Sequence, residues 1–154
     1  FESHITWKGM VWRSAYQLFQ AMKADRFGDL ATLHAILNDD CHLNSHAYGR
    51  KVSNFSKPVW NVESLTFMVI AMYGKFLQNP HLQSFLSETV NSAIFADCTS
   101  MDTFWSTGCS WSPEYPYDRR VCSADLWPGF AVCGRILFYI RERFRTKPST
   151  PHSI

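Results

Sequence analysis

The sequence predicts a mainly α-helical domain of the α+β class, with a small N-terminal β-hairpin and an expanded aromatic loop. Three observations predict this class. Apolar residues recur at helical spacing in several stretches. Apolar residues also flank a Lys-Gly pair near the N-terminus. Three Trp, two Tyr and two Pro interrupt any period between Cys98 and Trp127. The 154 residues fit one domain, which we place at residues 1–145, followed by a flexible tail at 146–154.

The first elements follow from local patterns. Residues 4–12 predict a hairpin with its turn at Gly9. A helix is expected from about Arg13 to the stop at 27–28, because apolar residues recur there at i, i+3, i+4 and i+7. These residues are Ala15, Leu18, Phe19 and Met22. Asp29 is expected to cap the helix that follows.

The later elements are predicted in the same way. Asn61 is expected to begin a long amphipathic helix that ends at Asn79-Pro80. Its apolar face is expected to carry Val62, Leu65, Met68, Val69, Met72 and Phe76. The apolar run at 93–96 predicts a short strand pairing with the hairpin. The last helix is expected at 129–145, with a basic end that complements its own dipole. Its buried face is expected to carry Phe130, Cys133, Leu137, Ile140 and Phe144.

A polar row accompanies the buried stripe of the first helix. Tyr16, Gln20 and Lys23 fall on a neighbouring face at near-turn spacing. Two interpretations stay open at this point. The row lines a pocket, or it is the ordinary solvated edge of a surface helix.

Composition excludes several classes of function. A formal charge of +2 is too small to indicate nucleic-acid binding, and without an apolar run of ~18 residues we expect no membrane span. Five cysteines without a CxxC pair argue against a zinc ribbon or a disulfide framework. Reduced thiols then indicate an intracellular protein, cytoplasmic or nuclear. His42 and His46 stand four apart without a nearby third ligand, so we expect no metal and no cofactor.

Two carboxylates precede an aromatic residue in the irregular region. Asp97 and Asp102 lie just before Trp105. Acidic groups held against aromatic rings are where carboxyl pKa values shift and glycosyl chemistry becomes possible. The alternative is that both side chains cap turns, as Asp often does.

Taken in order, the residues resemble the YbiA/NADAR family. That pattern includes a Phe-Gln-x-x-Lys helix, a Lys-Phe-x-Gln-Asn segment, an Asp-x-x-Trp-Gly-x-Gly motif and a final Trp-x-Gly-x-Asn-x-x-Gly helix. The matching residues are, in chain order, Gly9, Trp12, Ser14, Phe19, Gln20, Lys23, Gly49, Arg50, Trp60, Lys75, Phe76, Gln78, Asn79, Asp102, Trp105, Gly108, Trp127, Gly129, Gly134 and Arg141. The family is associated with NAD and ADP-ribose metabolism and with N-glycosidase activity.

The chain departs from this pattern at three positions. Tyr16 stands where the family has glutamate, Ala131 where it has asparagine, and Ser106 where it has glycine. We assign a second family acid to Asp97. Cleavage of a ribosyl C–N bond passes through an oxocarbenium-like state that a carboxylate stabilises. A neutral phenol at Tyr16 cannot supply that charge.

The resemblance implies site residues and two functions. If the domain is active, catalysis is expected from Asp97, Asp102 and Lys23. Ligand binding is expected from Tyr16, Gln20, Lys23, Arg50 and Trp105. We favour a degenerate domain that binds ADP-ribose or a related nucleotide, or a protein partner through the 106–127 loop. The residues of that partner surface are Trp111, Tyr115 and Tyr117. The alternative is an active N-glycosidase on ADP-ribosylated or phosphoribosyl nucleobase substrates.

Overall fold

The structure is a computed structural model that describes residues 3–98, 101–110 and 124–146. Its elements are strands β1 (Ile5–Trp7) and β2 (Met10–Trp12) and helices α1 (Ala15–Arg26), α2 (Leu30–Asn38), α3 (Ser45–Gly49), α4 (Lys57–Leu77), α5 (Pro80–Glu88) and α6 (Val132–Thr146). Short 3-10 turns at His42–Asn44 and Ala124–Leu126 complete this set. The predicted mainly α-helical class with a small hairpin is confirmed. Of the predicted tail, residues 147–154 lie outside the described residues.

The chain divides into two compact units, Phe1–Gln83 and Ser84–Ile154. The first unit opens with the predicted hairpin, in which β1 and β2 pair antiparallel with Thr6 opposite Val11. Its turn residues Lys8 and Gly9 both have positive φ, at 49° and 75°. This is the combination that a two-residue hairpin turn of type I′ requires, so local turn chemistry sets the hairpin.

The outer edge of β1 is held by side chains at the end of α4. The Gln78 amide accepts from the Thr6 N–H at 2.7 Å and donates to the Thr6 carbonyl at 3.1 Å. Asn79 donates to the carbonyl of His4 at 3.0 Å. These amides satisfy backbone groups that a further strand would otherwise pair, which gives two matched family residues a structural role.

Of the two N-caps predicted in the first unit, Asp29 is confirmed. Ser14, which was not predicted as a cap, accepts from the Gln17 N–H at the start of α1. Asp29 accepts from the Thr32 N–H at 2.9 Å at the start of α2. The other oxygen of Asp29 accepts from the Ser53 N–H at 2.8 Å and from the Ser53 hydroxyl at 2.7 Å. The bonds from Ser53 and Thr32 hold the pKa of Asp29 well below its usual range.

The prediction for α4 is right in burying Met68, but wrong at the start of the helix and at two residues of its apolar face. The helix begins at Lys57, four residues before Asn61. Val62 is 79% exposed and Leu65 is also exposed. The buried face carries Ser64, Met68 and Ala71. Apolar residues lie on several sides of this helix, and its small buried residues permit close packing against α1.

Ile140 and Phe144 are buried in the last helix as predicted, but three other predictions for the second unit are wrong. Residues 93–96 form no strand, and α6 begins at Val132 rather than at residue 129. Phe130 is 63% exposed instead of buried. The 93–96 backbone instead runs against α6, where a Cβ on Gly134 would overlap the carbonyl of Phe95. Only glycine permits that approach.

The basic end of α6 serves α5 and the chain after it. Arg141 is buried and donates to the Val90 carbonyl at 3.0 Å. Arg145 donates to the Ser87 carbonyl at 2.8 Å and also to the Thr89 carbonyl. Carbonyls at a helix C-terminus lack partners within their helix, so guanidinium donors are favourable there.

Candidate functional site

The polar row of α1 packs against α3 within the first unit. Lys23 Nζ donates to the carbonyl of Gly49 at 2.7 Å. The buried side chain of Gln20 lies so close to Gly49 that a Cβ there would overlap its Oε1. The ring of Tyr16 lies 6.3 Å from that of His46. The row is therefore a packed contact between two helices rather than a fully solvated edge.

Aromatic rings surround the Lys23 ammonium. Its Nζ lies 4.2 Å from the ring centroid of Phe55 and 5.6 Å from that of Trp60. Trp60 in turn stacks on Phe67, with ring centroids 5.7 Å apart. Partial burial lowers the pKa of Lys23, while the ring faces attract the charged form. Phe55 as a neighbour of Lys23 is not evident from sequence, because no helical or strand period links positions 23 and 55.

Arg50 is exposed and directly follows α3. Its guanidinium is thus attached to the same short segment whose Gly49 carbonyl binds Lys23. Two cationic side chains, one partly buried and one exposed, therefore border this segment. Phosphate groups favour such pairs, because guanidinium and ammonium groups donate charge-assisted hydrogen bonds.

No carboxylate among residues 3–83 takes the place of the glutamate that the family pattern has at position 16. Each of the carboxylates described there has another polar partner. The pairs are Asp25 with Lys8, Asp29 with Ser53, Asp39 with Tyr48, Asp40 with Arg13 and Glu63 with Arg26. The polar row of α1 in this unit therefore carries a phenol, an amide and an ammonium, with no anion.

The carboxylates of the second unit are bound into its loop. Asp102 Oδ1 accepts from the N–H groups of Phe104 at 2.8 Å and Trp105 at 2.5 Å. Asp97 Oδ2 accepts from the Ser106 hydroxyl at 2.9 Å. The residue that replaces the family glycine therefore hydrogen-bonds a candidate catalytic acid. Asp102 caps a turn, as the alternative interpretation held.

The charges of Asp97 and Asp102 both raise the pKa of one thiol, that of Cys133. Burial, and then the charges of Asp97 and Asp102, raise the pKa of Cys133 to about 12. The structure thus brings the two predicted acids close to the same side chain of α6. The sequence predicted Cys133 on the buried face of the last helix but not its proximity to Asp97, because the separation of the two residues along the chain gives no signal of contact.

Backbone bonds hold this loop against the start of α6. The carbonyls of residues 103–107 accept from the N–H groups of residues 129–133 in five hydrogen bonds. A Cβ on Gly129 would lie 2.5 Å from the Ser106 carbonyl oxygen. Ala131 has φ 48°, in the left-handed region. The ring of Trp105 contacts that of Phe104 edge-on, with centroids 4.8 Å apart.

Other predicted features fall outside these contacts. Trp111, Tyr115 and Tyr117 lie outside the described residues. Cys41, Cys98, Cys109 and Cys133 are free thiols. Among the described residues, no three His, Cys, Asp or Glu side chains lie close enough together to hold a metal ion. In the same part of the chain no helix has the length and apolar character needed to cross a bilayer.

Comparison with known proteins tests the resemblance directly. The NADAR domain model matches residues 1–145. The chain belongs to the NADAR family. It is 30% identical over 129 residues to an N-glycosidase of Acanthamoeba polyphaga mimivirus, which covers 84% of this chain and 72% of the viral protein. The NMR structure of E. coli YbiA superimposes with a TM-score of 0.66 at 22% identity, covering 97% of this chain and 79% of YbiA.

Several residues of the NADAR pattern now have structural explanations. Gln78 and Asn79 hold the hairpin edge, and Gly134 admits the backbone of residue 95. Arg141 binds the carbonyl that follows α5 by two residues. Lys23 contacts the Gly49 backbone and two aromatic rings. Part of the family signature in this chain therefore specifies the fold.

Proposed function

We propose that this NADAR domain binds an ADP-ribose-type nucleotide, or a protein partner, with little or no glycosidase activity. The resemblance places Tyr16 where the family has glutamate. The observation that supports the proposal is that every carboxylate described in the first unit is bonded to another group. Loss of one transition-state-stabilising group slows catalysis by about two to three orders of magnitude.

The cationic groups support retained binding. Lys23 and Arg50 both border the Gly49 segment, and a pyrophosphate is an anion that such groups recognise. Aromatic side chains beside Lys23 suit the planar parts of a nucleotide. Binding can persist without turnover, because binding uses ground-state contacts while catalysis needs groups aimed at the transition state.

A working N-glycosidase is the second candidate. The charges of Asp97 and Asp102 both raise the pKa of the Cys133 thiol, so both carboxylates lie within electrostatic range of one side chain in the second unit. A pair of carboxylates is the usual equipment for cleaving a glycosidic bond. The viral relative is named an N-glycosidase. In this alternative the two aspartates supply the anionic charge, and Lys23 binds the substrate.

Turnover and binding assays on the same protein separate the two candidates. The wild type is incubated with ADP-ribosylated guanine and with NAD, and released base and ADP-ribose are measured by chromatography. We expect ADP-ribose binding by calorimetry and turnover at background. Tyr16→Glu should raise turnover. Tyr16→Gln should not, because glutamine has the size of glutamate but lacks its charge.

Four further variants make the outcome decisive. Lys23→Gln and Arg50→Gln should each weaken ADP-ribose binding, whereas Lys57→Gln, which removes an exposed charge elsewhere on the first unit, should not. Clear wild-type turnover that is lost in Asp102→Asn would establish the glycosidase instead. Asparagine keeps an oxygen that can accept from Phe104 and Trp105, so this variant tests charge more than folding.

A further inference from the structure

The second unit contains a hollow of about 480 Å³ between residues 91–95 and the first turns of α6. Its size falls within the range of about 300–1,000 Å³ that is usual for small-molecule sites. None of the predicted site residues within the described part of the chain lines it, although Phe95 and Ala131 lie two residues from Asp97 and Cys133. It is therefore a separate feature of this unit.

Large apolar side chains line the hollow and face solvent. Phe130 and Phe138 are exposed, and Ile94 is 70% exposed. Leaving several such residues in water beside a cavity is unfavourable in the free protein, and contiguous exposed apolar surface commonly marks a binding site. Trp127 and Phe95 add two further rings to the wall. The wall is thus rich in aromatic faces and edges suited to a flat ring.

The buried guanidinium of Arg141 contacts two of the rings that line the hollow. The guanidinium of Arg141 lies 4.8 Å from the ring centroid of Phe138 and 5.2 Å from that of Phe95. Arg141 is itself held by the Val90 carbonyl at 3.0 Å. Gly134 also lines the hollow and permits residue 95 to lie directly against α6. Two of the rings are therefore positioned by contacts that a ligand does not need to supply.

The charge of the lining selects the ligand. Arg135 is exposed and lines the hollow. Asn91 and Ser92 add neutral polar groups, and among the residues that the structure describes none that lines the hollow is an Asp or Glu. A described lining with one cation and no carboxylate favours an anion over a cation.

We propose that this hollow binds a planar aromatic compound that carries an acidic group, with the ring between Phe138 and Ile94 and the acid at Arg135. The site is independent of the nucleotide contacts at Lys23 and Arg50. Its test therefore fails or succeeds separately from the function proposed above.

The test uses three probes on the whole chain. Naphthalene-2-sulfonate is planar and anionic, naphthalene-2-methanol has the same rings without the charge, and adamantane-1-carboxylate is anionic without a flat ring. Affinity is measured by calorimetry, and the binding surface is mapped from amide shifts in ¹⁵N–¹H NMR spectra. We expect the sulfonate to bind at least about threefold more tightly than either of the others, with shifts concentrated at residues 91–95 and 129–138.

Matched variants assign the binding to this hollow. Phe138→Ala should weaken the sulfonate at least about fivefold, while Phe85→Ala, an exposed ring outside the hollow, should not. Arg135→Gln should weaken the sulfonate and leave the alcohol unchanged, whereas Arg143→Gln on the same helix should affect neither. Equal binding of sulfonate and alcohol, shifts elsewhere, or no effect of Phe138→Ala in a folded protein would overturn the proposal.

Discussion

The side-chain amide of Gln20 occupies the space that a side chain at position 49 would need. A Cβ on Gly49 would overlap Gln20 Oε1, and the side chain of Gln20 is buried where α1 packs against α3. A methyl group at position 49 must therefore displace either the amide or α3. Overpacking of this kind typically costs about 1–3 kcal/mol.

The first prediction is that Gly49→Ala lowers the free energy of unfolding by about 1–3 kcal/mol. Urea unfolding followed by circular dichroism measures it. Gly74→Ala is the control, because its Cβ would meet Ile5 Cγ2 at an ordinary 3.4 Å within α4. That change should stabilise by about 0.5–1 kcal/mol. The double variant Gly49→Ala with Gln20→Ala should lose less stability than the sum of the two single changes, and strict additivity would contradict the contact.

The second prediction concerns Ala131, which replaces a family asparagine. Its φ of 48° costs an L-residue other than glycine about 1–2 kcal/mol, and asparagine tolerates this conformation better than alanine. The family preference is therefore explained by the backbone at least as well as by chemistry. Ala131→Gly should raise the midpoint of thermal unfolding or leave it unchanged, because relief of strain outweighs or offsets the entropy of the added glycine.

A control inside a regular helix isolates the role of φ. Ala35→Gly in α2 changes the same atoms at a helical position and should destabilise by about 0.5–1 kcal/mol. If Ala131→Gly destabilised as much as Ala35→Gly, the left-handed strain at position 131 would be refuted.

Features set by neighbouring residues were predictable from sequence. The hairpin follows from its Lys8-Gly9 turn, α1 from its periodicity, and α2 from its periodicity and its cap at Asp29. These signals are local, so they survive without knowledge of the tertiary structure. The sequence also placed the polar row correctly on α1, but it did not indicate that the row packs against α3.

Features set by tertiary contacts were not predictable. Val62 and Leu65 have helical spacing but face solvent, because the small residues Ser64 and Ala71 lie in the buried face of α4. The 93–96 run looks like a strand, yet the approach of residue 95 to Gly134 places it against a helix. In the sequence Arg141 belongs to the basic end of the last helix, but in the structure it is buried and donates to the carbonyl of Val90. In each case a partner distant in sequence decides the outcome.

The third prediction is a change in the pH dependence of stability at Asp29. Its folded-state pKa lies below the unfolded value because Ser53 and Thr32 donate to the carboxylate. The stabilisation is therefore present above the unfolded pKa of about 3.9 and is lost as pH falls through the lower folded value. Asp29→Asn should flatten the decline of unfolding free energy between about pH 5 and pH 2.

The measurement is urea unfolding across that pH range. At pH 7, Asp29→Asn should also cost about 1 kcal/mol or more, since an N-cap and a link to Ser53 are weakened. Asp40→Asn serves as the control, because Asp40 is an exposed carboxylate outside this network. An unchanged acid slope in Asp29→Asn would show that the bonds from Ser53 and Thr32 do not favour the ionised form.

The fourth prediction is that Cys133 resists alkylation while Cys41 reacts. Burial and the nearby charges of Asp97 and Asp102 raise the pKa of Cys133 to about 12, so it stays protonated at pH 8. The thiolate is the reactive form, and Cys41 is exposed. Iodoacetamide labelling of the folded protein, followed by peptide mass spectrometry, should modify Cys41 long before Cys133.

Asp97→Asn should increase the rate of alkylation at Cys133 because one repelling charge is removed. Asp125→Asn, which changes an exposed acid of the same unit, should not increase that rate. Equal rates at Cys133 in the wild type and in Asp97→Asn would show that the charge of Asp97 does not act on this thiol. The evidence that Asp97 and Asp102 both lie near Cys133 would then be lost.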